Sequence, residues 1–241
     1  MNQYKSIATL KGEAKTHMYG KYGTAISAYI FMKLTILMLT MFTSSVVPDG
    51  AVGQILYYAF FIIISLISGV FTAGYTFLYL NIASGNPVQS NMIFYGFRNC
   101  AEKAIILQGV LLGLEFVVCL PLILVEILRR TLVDESVTVF FIVALIVAVV
   151  GTIVVHLFLM PAFFLLHDFP NYTPQQIIKT SLQIMKGNVG RLFMLYLSIV
   201  PLQLLEVLSF GIGALWVETY KYETLAEFFL DLMNPAKQDA I

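Results

Sequence analysis

Seven ionisable residues stand inside or beside long apolar runs of this chain: Lys33, Glu115, His156 and Glu206, and the set Glu218, Lys221 and Glu223. An acid or base left unpaired in hydrocarbon costs several kcal/mol, so each must pair, reach the headgroups or serve a site. Lys33 lies well inside the first run and Glu115 near the middle of the third, and a direct or water-mediated pair between them would lower the cost of both. Snorkelling of the Lys33 amine to the headgroups is the alternative. Glu206 is placed within reach of the interface. His156 has no second ligand at helical spacing and reads as a neutral histidine bonded to a neighbouring helix. Glu218 and Lys221, three residues apart, make a favourable helical pair.

No nucleophile constellation accompanies these residues. The chain lacks G-x-S-x-G, H-E-x-x-H, a P-loop and a dinucleotide fingerprint, so no catalytic residue, cofactor or metal site is expected and the protein reads as a non-enzyme. Cys100 and Cys119 show no CxxC or His-Cys spacing and read as small apolar core residues. His167 and Asp168, beside Pro170, read as solvated loop neighbours. Net charge is zero, with 14 basic and 14 acidic residues, which excludes a broad basic surface for nucleic acid.

The elements that must position these groups are membrane helices. Hydrophobic residues make up 59% of the 241 and charged residues only 12%, about half the charged share of a soluble domain. Mean hydropathy is +0.85. The apolar content comes in runs of about twenty residues or more, the length a helix needs to cross about 30 Å of hydrocarbon. Six are marked: Thr24 to Val47, Ile55 to Ala83, Ala104 to Leu128, Val137 to Leu166, Leu192 to Leu208, and Ile212 to about Leu232. The first is too long for a signal-peptide core and has no small-residue cleavage site behind it, so it reads as a retained span. Turn residues separate the runs, including Pro48-Asp49-Gly50, Ser84-Gly85-Asn86-Pro87 and Gly211-Ile212-Gly213. The whole chain, 1–241, reads as a single transmembrane domain. It has a cytoplasmic N-terminal segment (1–23), spans and interfacial helices (24–232) and a tail (233–241).

Three spans are preceded by a polar-apolar segment of helical period. In the clearest, Thr173 caps and Pro174 takes the first helical position. Ile178, Leu182 and Met185 then line one face, and Gln176, Lys179, Gln183 and Lys186 the other, as in a helix lying along the cytoplasmic interface. Ahead of the third span, Ile93, Phe97, Cys100 and Ala104 make a similar stripe. Ahead of the first, Ala14 and Met18 alternate with Lys11, Lys15 and Lys21. The first and last segments end alike, on Gly20 and Gly23 and on Gly187 and Gly190, where glycine accepts the bend from membrane surface into span. The pattern suggests three repeats of interfacial helix plus two-span hairpin, with Gly20, Gly23, Gly187, Gly190, Gly211 and Gly213 as structural turns. The last run, where acids and a lysine recur from Glu218 to Asp231 while Trp216, Tyr220, Leu225, Phe228 and Leu232 keep an apolar side, reads as a span that leaves the membrane as an amphipathic cytoplasmic helix.

Four blocks in the C-terminal third carry a resemblance: Phe163-Phe164-Leu165-Leu166-His167-Asp168-Phe169-Pro170, Ser181-Leu182-Gln183-Ile184-Met185-Lys186-Gly187-Asn188, Phe210-Gly211-Ile212-Gly213-Ala214-Leu215-Trp216-Val217 and Thr224-Leu225-Ala226-Glu227-Phe228-Phe229. In order and spacing they resemble the bacterial integral membrane proteins grouped as domain of unknown function family 975. The likeness is strong from about Val155 to Met233 and looser over Phe71 to Asn99, around Gly74 and Gly96-Phe97-Arg98. Thr219-Tyr220 stands where the family has Pro-Tyr, so a helix kinked there by proline is expected to run straight here. The resemblance implies a multi-span bacterial membrane protein and brings no activity with it.

The expected fold is therefore all-α, with about six transmembrane helices. The expected function is that of a non-enzymatic membrane module binding lipid or a partner protein, with a small carrier or export component for an apolar or amphiphilic solute as the alternative. Convergence of Lys33, Glu115, His156 and Glu206 on one cavity would favour the carrier. With the N-terminus inside, inner segments hold Lys5, Lys11, Lys15, Lys21, Arg98, Lys103, Lys179, Lys186, Arg191 and Lys237, and outer loops only Arg129 and Arg130, near Asp134 and Glu135. That asymmetry predicts a cell-membrane protein with both termini cytoplasmic. A cysteine introduced at Asp49 should react with an impermeant thiol reagent applied from outside and one at Gln238 should not; the reverse pattern would invert the topology.

Overall fold

The computed structural model describes residues 4–131 and 135–234, and every regular element among them is helical. In chain order the helices are α1 (Ile7–Met18), α2 (Tyr22–Val46), α3 (Ala51–Ala83), a 3-10 turn (Ser90–Phe94) leading into α4 (Tyr95–Asn99), α5 (Ala101–Thr131), α6 (Glu135–Asp168), α7 (Pro174–Met185), α8 (Val189–Leu208) and α9 (Ala214–Leu232). This is three successions of a short helix and two long ones. Five helices, α2, α3, α5, α6 and α8, are long and apolar enough to cross a membrane. Their outer faces expose Met38, Phe61, Phe116, Val143, Ile146 and Leu197, an apolar surface that suits lipid and would be a liability in water. The chain is an all-α, multi-pass membrane protein. Pro121, Pro161 and Pro201 lie within α5, α6 and α8, each of which runs on as a single helix, as membrane helices tolerate.

The first and third units repeat in register. α1 buries Leu10, Ala14 and Met18, and α7 buries Ile177, Ser181 and Met185: three residues four apart, one row on a helix. Both helices are capped, α1 by the Ser6 hydroxyl and α7 by a reciprocal pair between Thr173 and Gln176. Each is followed by a glycine with positive φ, Gly20 at 77° and Gly187 at 83°. Gly23 and Gly190 fall in the first turns of α2 and α8, with open space where a Cβ would stand. On α7 the packed row is one residue away from the apolar stripe read in the sequence. Leu182 is exposed, while Ser181 is buried and its hydroxyl donates to the Phe158 carbonyl of α6 at 2.8 Å. The hydrogen bond to α6, rather than apolar bulk, selects the face. Gln176, Lys179, Gln183 and Lys186 are all exposed.

The second unit departs from this plan. Cys100, at φ −146°, interrupts the chain between α4 and α5, so Ile93, Phe97, Cys100 and Ala104 do not share one helix; Ile93 is buried and Phe97 is exposed. Here α4 and its 3-10 turn press on α3 backbone to backbone. A Cβ on Gly74 would meet the Ile93 carbonyl oxygen at 1.8 Å, and one on Gly96 the Val70 carbonyl oxygen at 2.1 Å. Phe77 and Tyr95 stack beside the crossing at 3.7 Å between centroids. Cys100 and Cys119 are free and half-buried, and burial pushes the Cys100 thiol pKa up, away from thiolate reactivity.

The largest difference concerns α9. It is not among the helices apolar enough to span, yet it is the one packed most deeply, against α1, α2, α3, α6 and α8. Leu225, Phe228 and Leu232 are buried, but so are Glu223, Glu227 and Asp231, whereas Trp216 is exposed. The acidic face expected in water points inward because α1 lies across it and α8 flanks it. Asp231 takes the Lys5 backbone N–H at 3.2 Å and pairs with Arg191. Glu227 bonds His17 at 2.5 Å, and the Tyr220 hydroxyl donates to the Lys11 carbonyl at 3.1 Å. The parts of the tail beyond Asn234, including Lys237 and Gln238, and the side chains of Arg130, Asp134 and Glu135 lie outside what is described. Arg129 pairs with Glu126 at 3.0 Å and lies over Phe141.

The glycine crossing makes a stability prediction. Gly74→Ala and Gly96→Ala should each lower thermal stability in detergent by about 1–3 kcal/mol, because backbone carbonyls cannot move aside as side-chain ends can. Gly113→Ala, with open space around it, should be neutral or slightly stabilising; equal effects at all three would contradict the crossing.

Candidate functional site

A cavity of about 310 Å³ lies among the spans. Its polar wall starts on α3, where Ser68, Thr72 and Thr76 recur at four-residue spacing and therefore share a face. Each hydroxyl donates to a carbonyl of its own helix, Ser68 to Ser65 at 2.7 Å, Thr72 to Ser68 at 2.9 Å and Thr76 to Ala73 at 3.0 Å, which leaves oxygen lone pairs for the cavity. Gln108 of α5 faces them across Gly69, whose missing Cβ would stand 2.4 Å from the Gln108 Cβ. His156 of α6, Tyr196 of α8 and Lys221 and Tyr222 of α9 complete the polar lining, and Phe163 and Phe164 supply an apolar part.

Two charged groups flank this space. In the first, His156 Nε2 meets Glu115 Oε1 at 2.8 Å, with the histidine side chain 57% exposed at the protein surface. In the second, Lys221 Nζ meets Glu218 Oε1 at 2.5 Å, both side chains largely covered. Glu206 is in the field of Glu218, Lys221 and Lys33, and its Oε1 is buried without a hydrogen-bond partner. Lys33 is exposed on α2, its amine 5.4 Å from the Tyr29 ring centroid.

The structure therefore pairs Glu115 with His156 of the adjoining helix and not with Lys33, whose charge acts on Glu206 instead. α5 and α6 pack along each other, which brings these positions together, while Lys33 sits on α2, which packs on α3 and α9. The four residues do not meet at one point. His156 and Lys221 both line the cavity, and through them both groups border it. The glycines stand apart from this site. Gly211 has φ 88°; Gly213 takes an ordinary helical φ, but a Cβ there would meet the Ser209 hydroxyl at 2.7 Å.

Sequence reasoning missed the hydroxyl row, Gln108, Tyr196 and Tyr222. The row was visible as Ser68-Thr72-Thr76 at helical spacing within an apolar run, but such residues also bond their own helix in membranes without any site. His167, read as solvated, is instead inside, its Nε2 2.8 Å from the Ala73 carbonyl oxygen and 3.1 Å from the Thr76 hydroxyl, with Nδ1 buried and without a partner. Chemically the cavity offers a cation, an amide, phenols and hydroxyl lone pairs beside aromatic surface, a set that binds and orients a small polar group.

The model of the family of proteins of unknown function DUF975 matches residues 1–235. The chain belongs to that family. No curated protein and no solved structure matches it.

The pairing across α5 and α6 is open to a double-mutant cycle. Glu115→Gln and His156→Gln should be coupled by about 0.5–1.5 kcal/mol in unfolding free energy, while Lys33→Met and Glu115→Gln should be additive. Coupling of Lys33 with Glu115 in place of His156 would contradict this arrangement.

Proposed function

We propose that the protein is a non-enzymatic membrane module that takes the polar head of a lipid-like amphiphile into the cavity among α3, α5, α6, α8 and α9. The observation that carries this reading is a pocket with one polar wall inside a bundle whose outer faces are apolar. A volume of about 310 Å³ suits a headgroup, and tails would stay outside on the apolar face. The Lys221 ammonium, which keeps N–H donors beyond the one that Glu218 takes, and the Gln108 amide favour a head rich in acceptor oxygens, as a phospholipid has. Ser68 and Thr72 donate to their own backbone, and Thr76 shares its hydroxyl among the Ala73 and Phe163 carbonyls and His167 Nε2.

The setting we infer is a bacterial cell membrane with both ends of the chain cytoplasmic. Residues 5 and 231 are hydrogen-bonded, so the first and last described helices reach the same end of the bundle. Lys21 reaches the carbonyls of Ile82 and Asn86, Lys103 that of Pro170 and Arg191 that of Lys5, a clustering of basic residues that supports that end as the inner one. A carrier for an amphiphilic solute is the second reading, favoured by the Glu115–His156 and Glu218–Lys221 pairs bordering one cavity.

Native mass spectrometry of protein released from nanodiscs of mixed phosphatidylglycerol and phosphatidylcholine separates these. The wild type should retain one phosphatidylglycerol preferentially, and Lys221→Met or Gln108→Leu should weaken retention about tenfold, roughly 1.4 kcal/mol. Retention unchanged in both variants and in the cavity-filling Thr72→Phe would overturn the binding reading. Flux of an amphiphile across proteoliposomes that Thr72→Phe blocks would replace it with the carrier.

A further inference from the structure

Away from the cavity, α9 turns two carboxylates toward α1. Glu223 and Glu227 are four residues apart and share a face; they are 0% and 3% exposed. His17, near the end of α1, closes the group. One ligand atom from each of the three lies within 4.8 Å of the other two. The hydrogen bonding is lopsided: His17 Nδ1 meets Glu227 Oε1 at 2.5 Å, while neither oxygen of Glu223 has a hydrogen-bond partner.

A buried carboxylate without a partner is expensive. A proton would remove the charge, but the second carboxyl oxygen would still lack a donor. The nearby charges do not repair it either. Lys21 acts on Glu223, but its amine is directed to the carbonyls of Ile82 and Asn86 at 3.4 and 3.2 Å. Lys5 is engaged by Glu13 at 2.8 Å, and the pair adds no net charge.

We propose that His17, Glu223 and Glu227 bind one divalent transition-metal ion of the zinc class, clamping α1 onto α9. One imidazole and two carboxylates is a donor set for zinc and its first-row neighbours, whereas magnesium and calcium take oxygen shells. Zinc holds nitrogen and oxygen ligands at about 2.0–2.2 Å, so its ligand atoms stand about 3.5 Å apart. Seating an ion would replace the 2.5 Å contact between His17 and Glu227 by two bonds to the metal and draw in ligand atoms that already lie within 4.8 Å of one another. The His17 side chain, 37% exposed, is the route of access. Three protein ligands leave a fourth position for water. The site is distinct from the cavity, which the other face of α9 lines through Lys221, Tyr222 and Leu225.

The test uses full-length protein freed of any polyhistidine tag, in detergent at pH 7.5, titrated with Zn²⁺ and separately with Mn²⁺ against a chromogenic chelator. One equivalent of Zn²⁺ should bind and raise the melting temperature. Glu223→Gln, which keeps shape and removes charge, should fold at least as well without metal, bind Zn²⁺ at least tenfold more weakly and lose the melting shift. X-ray absorption at the zinc edge of the wild type guards against a variant that fails to fold, and should show one imidazole among oxygen ligands. No stoichiometric binding by the wild type, a shell without imidazole, or full affinity in Glu223→Gln would each overturn the proposal.

Discussion

Three carboxylates buried along α9 are the constraint on which the arrangement of the other helices depends. Burying a charge is tolerated only where it is paired and hydrogen-bonded, and Glu223, Glu227 and Asp231 lie along one side of a helix enclosed by α1, α2, α3, α6 and α8. Asp231 is answered by α8 through Arg191 and by the backbone of Lys5, just ahead of α1. Arg191 itself lies over the rings of Tyr4 and Phe228, 4.8 and 4.9 Å away. Removing one partner of such a pair strands the other, at about 3–5 kcal/mol. The first, eighth and ninth helices are thereby tied at one end of the bundle, and α1 cannot be a loose appendage.

That tie also sets the cavity. With one face of α9 committed to α1, its opposite face presents Lys221, Tyr222 and Leu225 to α3, α5 and α6. Tyr222 packs edge-on against Tyr75 at 4.7 Å and stacks on Tyr79 at 5.8 Å, and Tyr79 donates to the Tyr75 hydroxyl at 3.1 Å. This buried aromatic cluster fixes how far α9 stands from α3. The hydroxyl row on α3 then faces a cation and an amide across a gap that side chains leave unfilled. A helix with this many charges would not insert on its own merits; it is carried by the apolar spans packed against it, α2, α3, α6 and α8.

What the sequence displayed was whatever a single segment expresses on its own. The apolar runs, the cap at Thr173 and the positive-φ glycines at positions 20 and 187 are local properties, and they gave the class of fold and the repeat of α1 and α7. Their register is constant, Leu10, Ala14, Met18 and Gly20 each standing 167 residues before Ile177, Ser181, Met185 and Gly187. What it hid was which partner answers each polar group. Glu115 finds His156 because α5 and α6 adjoin, and His17 finds Glu227 across 210 residues of chain. Periodicity could say that α9 is two-sided but not that its acidic side faces protein, since a charged face bound to water and one bound to another helix have the same spacing. Ser181 displaced Leu182 from the packed face of α7 for the same reason, a hydrogen bond to a distant carbonyl.

Hydrogen–deuterium exchange of the protein in nanodiscs tests the inward seat of α9 most directly. Amides of 219–232 should be protected as strongly as those of 70–83 in α3, and Arg191→Gln should release 7–18 and 225–232 together. Exchange of 219–232 within minutes in the wild type, as a helix lying in the aqueous interface would show, would contradict the account.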